Sequence, residues 1–219
     1  MSTNWNLYLS RYQQARGGHF FGALEDDYDC HLILTEGESS PILVWIDTDP
    51  GDGCYEHNIL ARTMIKLDQT RELNISPRSL VGGGLMSVAG LVKGGLDFDQ
   101  TEATRGRIIT GSDKSFSRQV LADPGVQQGL STWKKVCLQI RPAPRREEGW
   151  HVVQLTDVNF EGSPVNGSHW VCDAMEQDLS RLSPAEQERL LQAGSEHFNA
   201  RMDTFLDVLR AACQAAADR

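Results

Sequence analysis

Apolar residues recur every three to four positions near both ends of the chain. From Trp5 to Ala15 this spacing is typical of a short amphipathic helix, which Gly17 and Gly18 would end. Ser183-Pro184-Ala185-Glu186 has the composition of a helix N-terminus, because serine caps the first turn and glutamate reaches back to it. An apolar stripe follows at Leu191, Phe198, Met202, Phe205, Leu209 and Ala212. It is short for a coiled coil, so a long C-terminal helix buried against a sheet is predicted.

Between these helices the pattern changes to β-rich runs. They lie at residues 31–35, 42–46, 59–67, 107–110, 136–140 and 151–155. Turn-forming segments separate the first two runs and the last two, which predicts antiparallel hairpins. Short helices are expected at 85–93, 115–121 and 126–130, bounded by glycine or proline. The sequence therefore predicts an α+β fold: a mostly antiparallel mixed sheet of four to six strands, an N-terminal helix and a long C-terminal helix.

Composition supports one soluble domain over residues 1–219. The chain is 40% hydrophobic and 23% charged, as in ordinary globular proteins, and no repeat or Gly-Ser linker divides it. No export leader or run of about 18 apolar residues is seen, so neither secretion nor a membrane span is expected. Five scattered cysteines indicate free thiols and a cytoplasmic location.

The formal charge of −9 and pI near 5.1 argue against nucleic acid and anionic membrane surfaces as partners. Arg141, Arg145 and Arg146 form a basic patch, but prolines beside them indicate a solvated loop. Gly82-Gly83-Gly84 lacks the lysine and hydroxyl residue of a phosphate-binding loop. Ser112 lacks the flanking glycines of a hydrolase nucleophile. No cofactor is predicted.

Acidic residues follow the apolar run at 42–46, where carboxylates could hold a hard cation. Asp47, Asp49 and Asp52 are the candidate metal ligands, with His57 as an acid or base. Asp47-Thr48-Asp49-Pro50-Gly51 resembles the opening of the nucleoside hydrolase calcium site. In that family two further aspartates complete the metal shell and supply the base; Gly53 and Cys54 stand at those places here. The alternative reading of the segment is a polar turn.

Two Cys/His pairs have the spacing of zinc ligands. They are Cys54 with His57 and His169 with Cys172, and together they could form a tetrahedral zinc site. Residues three apart on a strand point to opposite faces, so each pair would need a turn or helix to converge. Free cysteines and partly buried histidines are the plainer interpretation.

The middle of the chain carries a second resemblance. Asn74-Ile75-Ser76-Pro77-Arg78, Leu96-Asp97-Phe98-Asp99 and the stretch from Thr110 to Leu130 resemble a family of bacterial domains of unknown function. The resemblance covers roughly residues 20 to 140 and implies no activity. Members of that family often follow membrane-spanning helices, whereas a long C-terminal helix is predicted here.

These observations favour a non-enzymatic, cytoplasmic binding or regulatory domain whose partner is another protein. The reason for this hypothesis is that the sequence offers no set of residues that together would supply the nucleophile, the base and the stabilising group of an enzyme. The acidic balance also suits an inhibitor or immunity-type partner that covers a basic protein surface. The alternative is a divalent-metal-dependent hydrolase using Asp47, Asp49 and Asp52.

Overall fold

A computed structural model describes residues 4–24, 30–49, 56–78, 101–144, 149–158 and 170–217. In these ranges the helices are α1 (Trp5–Arg16), α2 (Lys114–Ala122), α3 (Pro124–Thr132) and α4 (Pro184–Ala217), with a 3-10 turn at Leu179–Arg181. The strands are β1 (His19–Gly22), β2 (Cys30–Leu34), β3 (Ile42–Asp49), β4 (Glu56–Lys66), β5 (Leu73–Pro77), β6 (Arg107–Gly111), β7 (Val136–Pro142) and β8 (Trp150–Asp157). The helix expected at 85–93 lies outside the described residues.

The strands form an antiparallel sheet in the order β1-β2-β3-β4-β8-β7-β5-β6. Together with α1 and α4, this sheet confirms the predicted α+β class. The predicted hairpins are confirmed as well, since His31 pairs with Trp45 and Ile140 pairs with Val153.

The predicted count of four to six strands is wrong, because the described residues contain eight. The two strands absent from the predicted runs are β1 and β5. β1 has only four residues, too few for a period of two to stand out. β5 alternates Asn74 and Ser76 with apolar residues and ends in proline, a residue that weakens a strand assignment.

The chain divides into two compact units. Unit 1 comprises residues 1–59 and 159–204, and unit 2 comprises residues 60–158 and 205–219. The chain passes from one unit to the other within β4, between residues 158 and 159, and within α4. The first and third of these crossings lie inside regular secondary structure. A single domain over residues 1–219 remains a prediction.

An aromatic cluster forms the core of unit 1. The ring of Phe198 lies 5.6 Å from Trp170, 5.9 Å from Tyr8 and 6.1 Å from Trp5. Burial, followed by the nearby Cys172, raises the pKa of Tyr8, while Arg11 opposes the shift. Aromatic side chains that bury this much area contribute strongly to a core.

The start of α4 has the predicted capping box. The backbone N–H and the hydroxyl of Ser183 donate to Glu186 Oε2 at 3.0 and 2.6 Å, and the Glu186 N–H donates back to Ser183 Oγ at 3.4 Å. These bonds lower the pKa of Glu186, the hydroxyl bond contributing most. In the apolar stripe behind the cap, Leu191 is half-buried and the other positions are fully buried.

Unit 2 packs β4 to β8 with α2, α3 and the last turns of α4 around its own core. Trp133, Val136 and Leu138 are fully buried, and the Trp133 ring meets Phe205 edge-on at 5.7 Å. A Cβ added to Gly129 would lie 2.2 Å from the Val208 side chain. Glycine therefore allows α3 to approach α4 closely.

A buried arginine ties α3 to the sheet of unit 2. Arg107, 7% exposed, donates from Nη1 to Val136 O at 2.6 Å and from Nη2 to the carbonyls of Leu130 and Trp133 at 2.8 and 2.7 Å. Leu130 lies in the last turn of α3 and Trp133 is its C-cap, so the cation also suits the helix dipole. Burial lowers the pKa of this guanidinium, which still carries its charge.

None of the described helices is both long enough and apolar enough to cross a membrane.

Candidate functional site

The predicted metal ligands are only partly placed by the structure. Asp47 is exposed near the end of β3, and Asp49 is the last residue of that strand. Asp52 and the side chain of Asp49 lie outside the described part. Within the described ranges, no group of three His, Cys, Asp or Glu side chains is arranged to hold a metal ion. The metal loop therefore remains a prediction.

The predicted zinc ligands are also only partly described by the structure. His57 is half-buried in β4, and Cys172 is half-buried in the segment before the 3-10 turn. Their predicted companions, Cys54 and His169, lie outside the described residues, so this site also stays a prediction. The Gly82-Gly83-Gly84 run lies outside them too.

Ser112 forms two hydrogen bonds with the main chain of Glu72. Its Oγ accepts the Glu72 N–H at 2.9 Å, and its own N–H donates to the Glu72 carbonyl at 3.0 Å. The next residue, Asp113, caps α2 by accepting the N–H groups of Ser115 and Phe116 and also pairs with Arg71. This segment therefore joins β5, β6 and α2.

The buried side chain of His151 joins the loop after β4 to β8. Its Nε2 accepts the Arg71 N–H at 3.0 Å, and its Nδ1 lies 2.9 Å from the carbonyl of Gly149. Both bonds form when the proton is on Nδ1. With both ring nitrogens bonded to main-chain groups, the ring has a positioning role.

Unit 2 contains a cavity of about 370 Å³. It is lined by Lys66, Leu67, Asp68, Gln69, Arg71, Phe116, Gln119, Ala216 and Ala217. Arg71 is already paired with Asp113 and stacks on Phe116 at 5.6 Å, and Gln119 donates to the carbonyl of Ala215 at 2.6 Å. The lining also includes Lys66 and Asp68, which have opposite charges, so it does not define a ligand class.

The thiol of Cys137 is unsuited to nucleophilic chemistry. Burial raises its pKa to about 11, while a hydrogen bond with Ser76 and the nearby Arg107 oppose the shift. At neutral pH this side chain is a thiol and not the reactive thiolate.

The sheet of unit 1 has one buried face and one open face. Leu32, Val44 and Ile46 alternate into the core, and α1 contacts β1 and β2. The open face comprises His19, Phe21 and His31, which are exposed, and Ile33, Leu43 and Trp45, which are half-buried. The register aligns Phe21, His31 and Trp45 in one row across three strands, and His19, Ile33 and Leu43 in the next. Four of these six residues are apolar, and none carries a carboxylate.

β1 forms one edge of the sheet. Among the strands that the structure describes, only β2 pairs with it. Phe21 is 57% exposed and Leu24, two residues after the strand, is 46% exposed; these are the exposed large apolar side chains of the described chain. The sequence runs did not reveal β1, although Phe20-Phe21 between two glycine positions could have marked it.

The two units differ sharply in charge. Unit 1 contains 18 acidic and five basic side chains, a formal charge of −13, and unit 2 contains 12 acidic and 16 basic side chains, a formal charge of +4. In unit 1, residues 1–59 alone have ten acidic and two basic side chains. The edge and open face described above therefore belong to the acidic unit.

Comparison with known proteins adds little. No family model and no curated protein matches the chain. Among solved structures, the chain is similar to the mycobacterial trehalose monomycolate transport factor A, TtfA, at 7% identity and a TM-score of 0.37, covering 92% of this chain and 96% of that one. A likeness at this TM-score carries no inference about function.

Proposed function

We propose that the chain is a non-enzymatic binding or regulatory domain and that unit 1 binds a basic surface of another protein. The observation that supports this proposal is the formal charge of −13 on the unit that also exposes Phe21 and Leu24. Opposite charge speeds encounter and selects the partner, while apolar contact supplies much of the affinity.

An inhibitor or immunity-type protein is one form of this function. Such a protein would cover the basic surface of a toxin or nuclease and so prevent it from meeting its anionic substrate. Charges on the rim of such a complex are screened by salt, so the association would weaken as ionic strength rises.

The proposal is tested with charge-reversal pairs that alter total charge equally. The pair Glu36→Lys and Asp47→Lys lies in unit 1, and the pair Glu72→Lys and Glu102→Lys lies in unit 2; all four side chains are exposed. Binding of a 20-residue oligo-lysine would be measured by calorimetry at low salt. We expect the unit 1 pair to weaken binding about tenfold, or about 1.4 kcal/mol, and the unit 2 pair by less than about twofold.

Equal weakening by both pairs would show that net charge alone governs binding and would overturn the proposal. Absence of binding to the unmodified protein would overturn it as well. Metal-dependent turnover of a small substrate that Asp47→Asn abolishes would replace it with the hydrolase alternative.

A further inference from the structure

The sheet of unit 2 carries a row of polar side chains on one face. Gln154 of β8 pairs with Gln139 of β7, Gln139 pairs with Asn74 of β5, and Asn74 pairs with Thr110 of β6. Paired residues of antiparallel strands share a face of the sheet, and all four side chains are half-buried. Leu138, which is fully buried, lies on the opposite face. The polar row is therefore on the side of the sheet that faces away from the core of unit 2.

Arg62 of β4 contacts one end of this row. Its Nε and Nη2 donate to Gln154 Oε1 at 3.0 and 2.6 Å, which places the guanidinium beside β8. Gln154 is neutral, so this contact orients the cation without balancing its charge. The Arg62 side chain is half-buried, and a cation withdrawn from water is stabilised when an anion lies beside it.

Arg141 brings a second cation to the same face. It follows Gln139 by two residues in β7, and side chains two apart on a strand point to the same side. β8 lies between β4 and β7, so Arg62 and Arg141 flank it. Burial lowers the pKa of Arg62, and the nearby Arg141 lowers it further, as expected for two cations close together. Arg141 is exposed, so a dissolved ligand can reach the pair.

We propose that Arg62 and Arg141 bind the phosphate group of a phosphorylated small molecule. Two guanidinium groups match the charge of a phosphate monoester, about −1.5 to −2 at neutral pH, better than the single charge of a carboxylate. The planar guanidinium also donates paired hydrogen bonds to phosphate oxygens. Gln139 and Asn74 continue the row beside the pair, and their amide groups can bond hydroxyl groups of the same ligand.

Larger phosphate-bearing partners fit this face less well. Proteins that bind single-stranded nucleic acid stack bases on aromatic side chains, and neither the row nor the two arginines supply one. Apolar side chains help a protein bind a membrane surface, and the exposed large ones among the described residues, Phe21 and Leu24, belong to unit 1. A small dissolved ligand is therefore the occupant. This inference concerns unit 2 and does not depend on the function proposed for unit 1.

The first test is an NMR titration of the 219-residue chain with inorganic phosphate, glycerol phosphate and acetate at constant ionic strength. We expect both phosphates to shift the Arg62 Nε–H and Gln154 side-chain amide resonances to saturation, with acetate binding about tenfold more weakly. Glycerol alone should cause no shift. Equal affinity for acetate would overturn the phosphate assignment, and no saturable shift with either phosphate would overturn the site.

Two variants that remove the same charge test the location. Arg141→Gln should weaken binding of glycerol phosphate about tenfold, because the ligand loses one of its two cations. Arg118→Gln, exposed on α2 in the same unit, should change the affinity by less than about twofold, because salt screens distant charges. Similar weakening by both variants would show that the charge of unit 2 acts at a distance and would overturn the site.

Gln154→Glu tests the contact with Arg62 and keeps the shape of the side chain. The new carboxylate would supply a counter-charge to Arg62 and repel phosphate, so we expect the affinity to fall about tenfold or more without a fall in melting temperature. Ser115→Glu, exposed on α2, adds the same charge elsewhere and should leave the affinity nearly unchanged. Unchanged phosphate affinity in Gln154→Glu would overturn the role of Arg62.

Vesicles of phosphatidylcholine and phosphatidic acid separate a dissolved phosphate from a lipid headgroup of the same chemistry. We expect the protein to remain in solution when the vesicles are sedimented. Sedimentation that Arg141→Gln abolishes, without a saturable shift on addition of glycerol phosphate, would overturn the choice of a dissolved ligand.

Discussion

Unit 1 and unit 2 use charged side chains in opposite ways. Unit 2 has a formal charge of +4 and brings one cation, Arg107, into its interior, where three main-chain carbonyls surround it. Unit 1 has a formal charge of −13, and an aromatic cluster around Phe198 fills its core. One charge of unit 2 thus stabilises its interior, whereas the excess charge of unit 1 supports the proposal that this unit binds a basic partner.

The total charge of the chain conceals the difference between the two units. A value of −9 is the sum of a strongly acidic unit and a mildly basic one. The charge of unit 1 therefore disfavours nucleic acid and anionic membranes as partners more strongly than the total suggests. Unit 2 has no excess of acidic side chains to repel them, so the absence of a nucleic-acid partner remains a prediction.

The largest expected effect is the loss of Arg107. Arg107→Met keeps most of the buried side-chain volume but leaves three carbonyl groups without their charged donor. We expect the free energy of unfolding to fall by about 3 to 5 kcal/mol, measured by urea denaturation. Arg105→Met, at an exposed position nearby, should change it by less than about 0.5 kcal/mol. Similar small effects from both would show that the interior cation does not stabilise unit 2.

In unit 1 we expect a large loss of stability from substitution of Gly18. Gly18→Ala would place a methyl group 2.3 Å from the carbonyl oxygen of Ile33 and force alanine to a positive φ. We expect a loss of about 2 to 3 kcal/mol in thermal or urea unfolding. Gly37→Ala is the control, because it also has a positive φ but no atom near the added Cβ, and it should cost only about 1 kcal/mol. Equal losses would mean that the close approach to β2 has no role.

Thiol reactivity gives a third contrast between the units. Burial holds the pKa of Cys137 in unit 2 at about 11, so its thiolate form stays scarce at pH 8. Cys137 and Cys172 are both half-buried, so an alkylating reagent has similar access to the two side chains. Mass spectrometry of the folded protein after timed alkylation should show Cys137 reacting at least about tenfold more slowly than Cys172. Labelling of both at one rate would contradict this expectation.

The smallest expected effect concerns the cap of α4. Ser183→Ala removes the hydroxyl that bonds Glu186, and we expect a loss of about 1 kcal/mol in unfolding free energy near neutral pH. Thr204→Ala, exposed in the same helix, should be nearly neutral.

The same cap predicts a pH effect. Because the folded state lowers the pKa of Glu186 below its ordinary value of 4.5, the carboxylate stabilises the helix above that pH. This contribution is lost as pH falls through the lower folded value. An NMR titration should find the pKa of Glu186 raised in Ser183→Ala, and an unchanged pKa would contradict the role of the capping box.

Local signals in the sequence predicted much of the fold. The capping box at Ser183, the glycines after α1 and the alternation in β2, β3, β7 and β8 all depend on residues close together in the chain. β1 and β5 were not predicted. β1 is very short, and β5 carries polar residues that tertiary packing covers, such as the fully buried Ser76.

The candidate site was less accessible to prediction. Exposure of Phe21 depends on which strand forms the sheet edge, and strand order is set by contacts far apart in sequence. The charge division was hidden for a similar reason, since each unit is assembled from two separate segments. The residues that sequence reasoning selected, such as Asp47 and Cys172, were chosen from short spacings, which do not define how segments converge.

Gly194 has a consequence for anyone engineering this protein. Replacing a helix-interior glycine with alanine is a standard way to make a protein more heat-resistant, and by sequence alone Gly194 in α4 is a candidate for this change. A methyl group there would lie 2.7 Å from the Tyr8 hydroxyl and 2.9 Å from Met175 Cγ. The substitution that raises helix propensity would therefore push against the aromatic cluster, and thermostabilising designs should leave this position as it is.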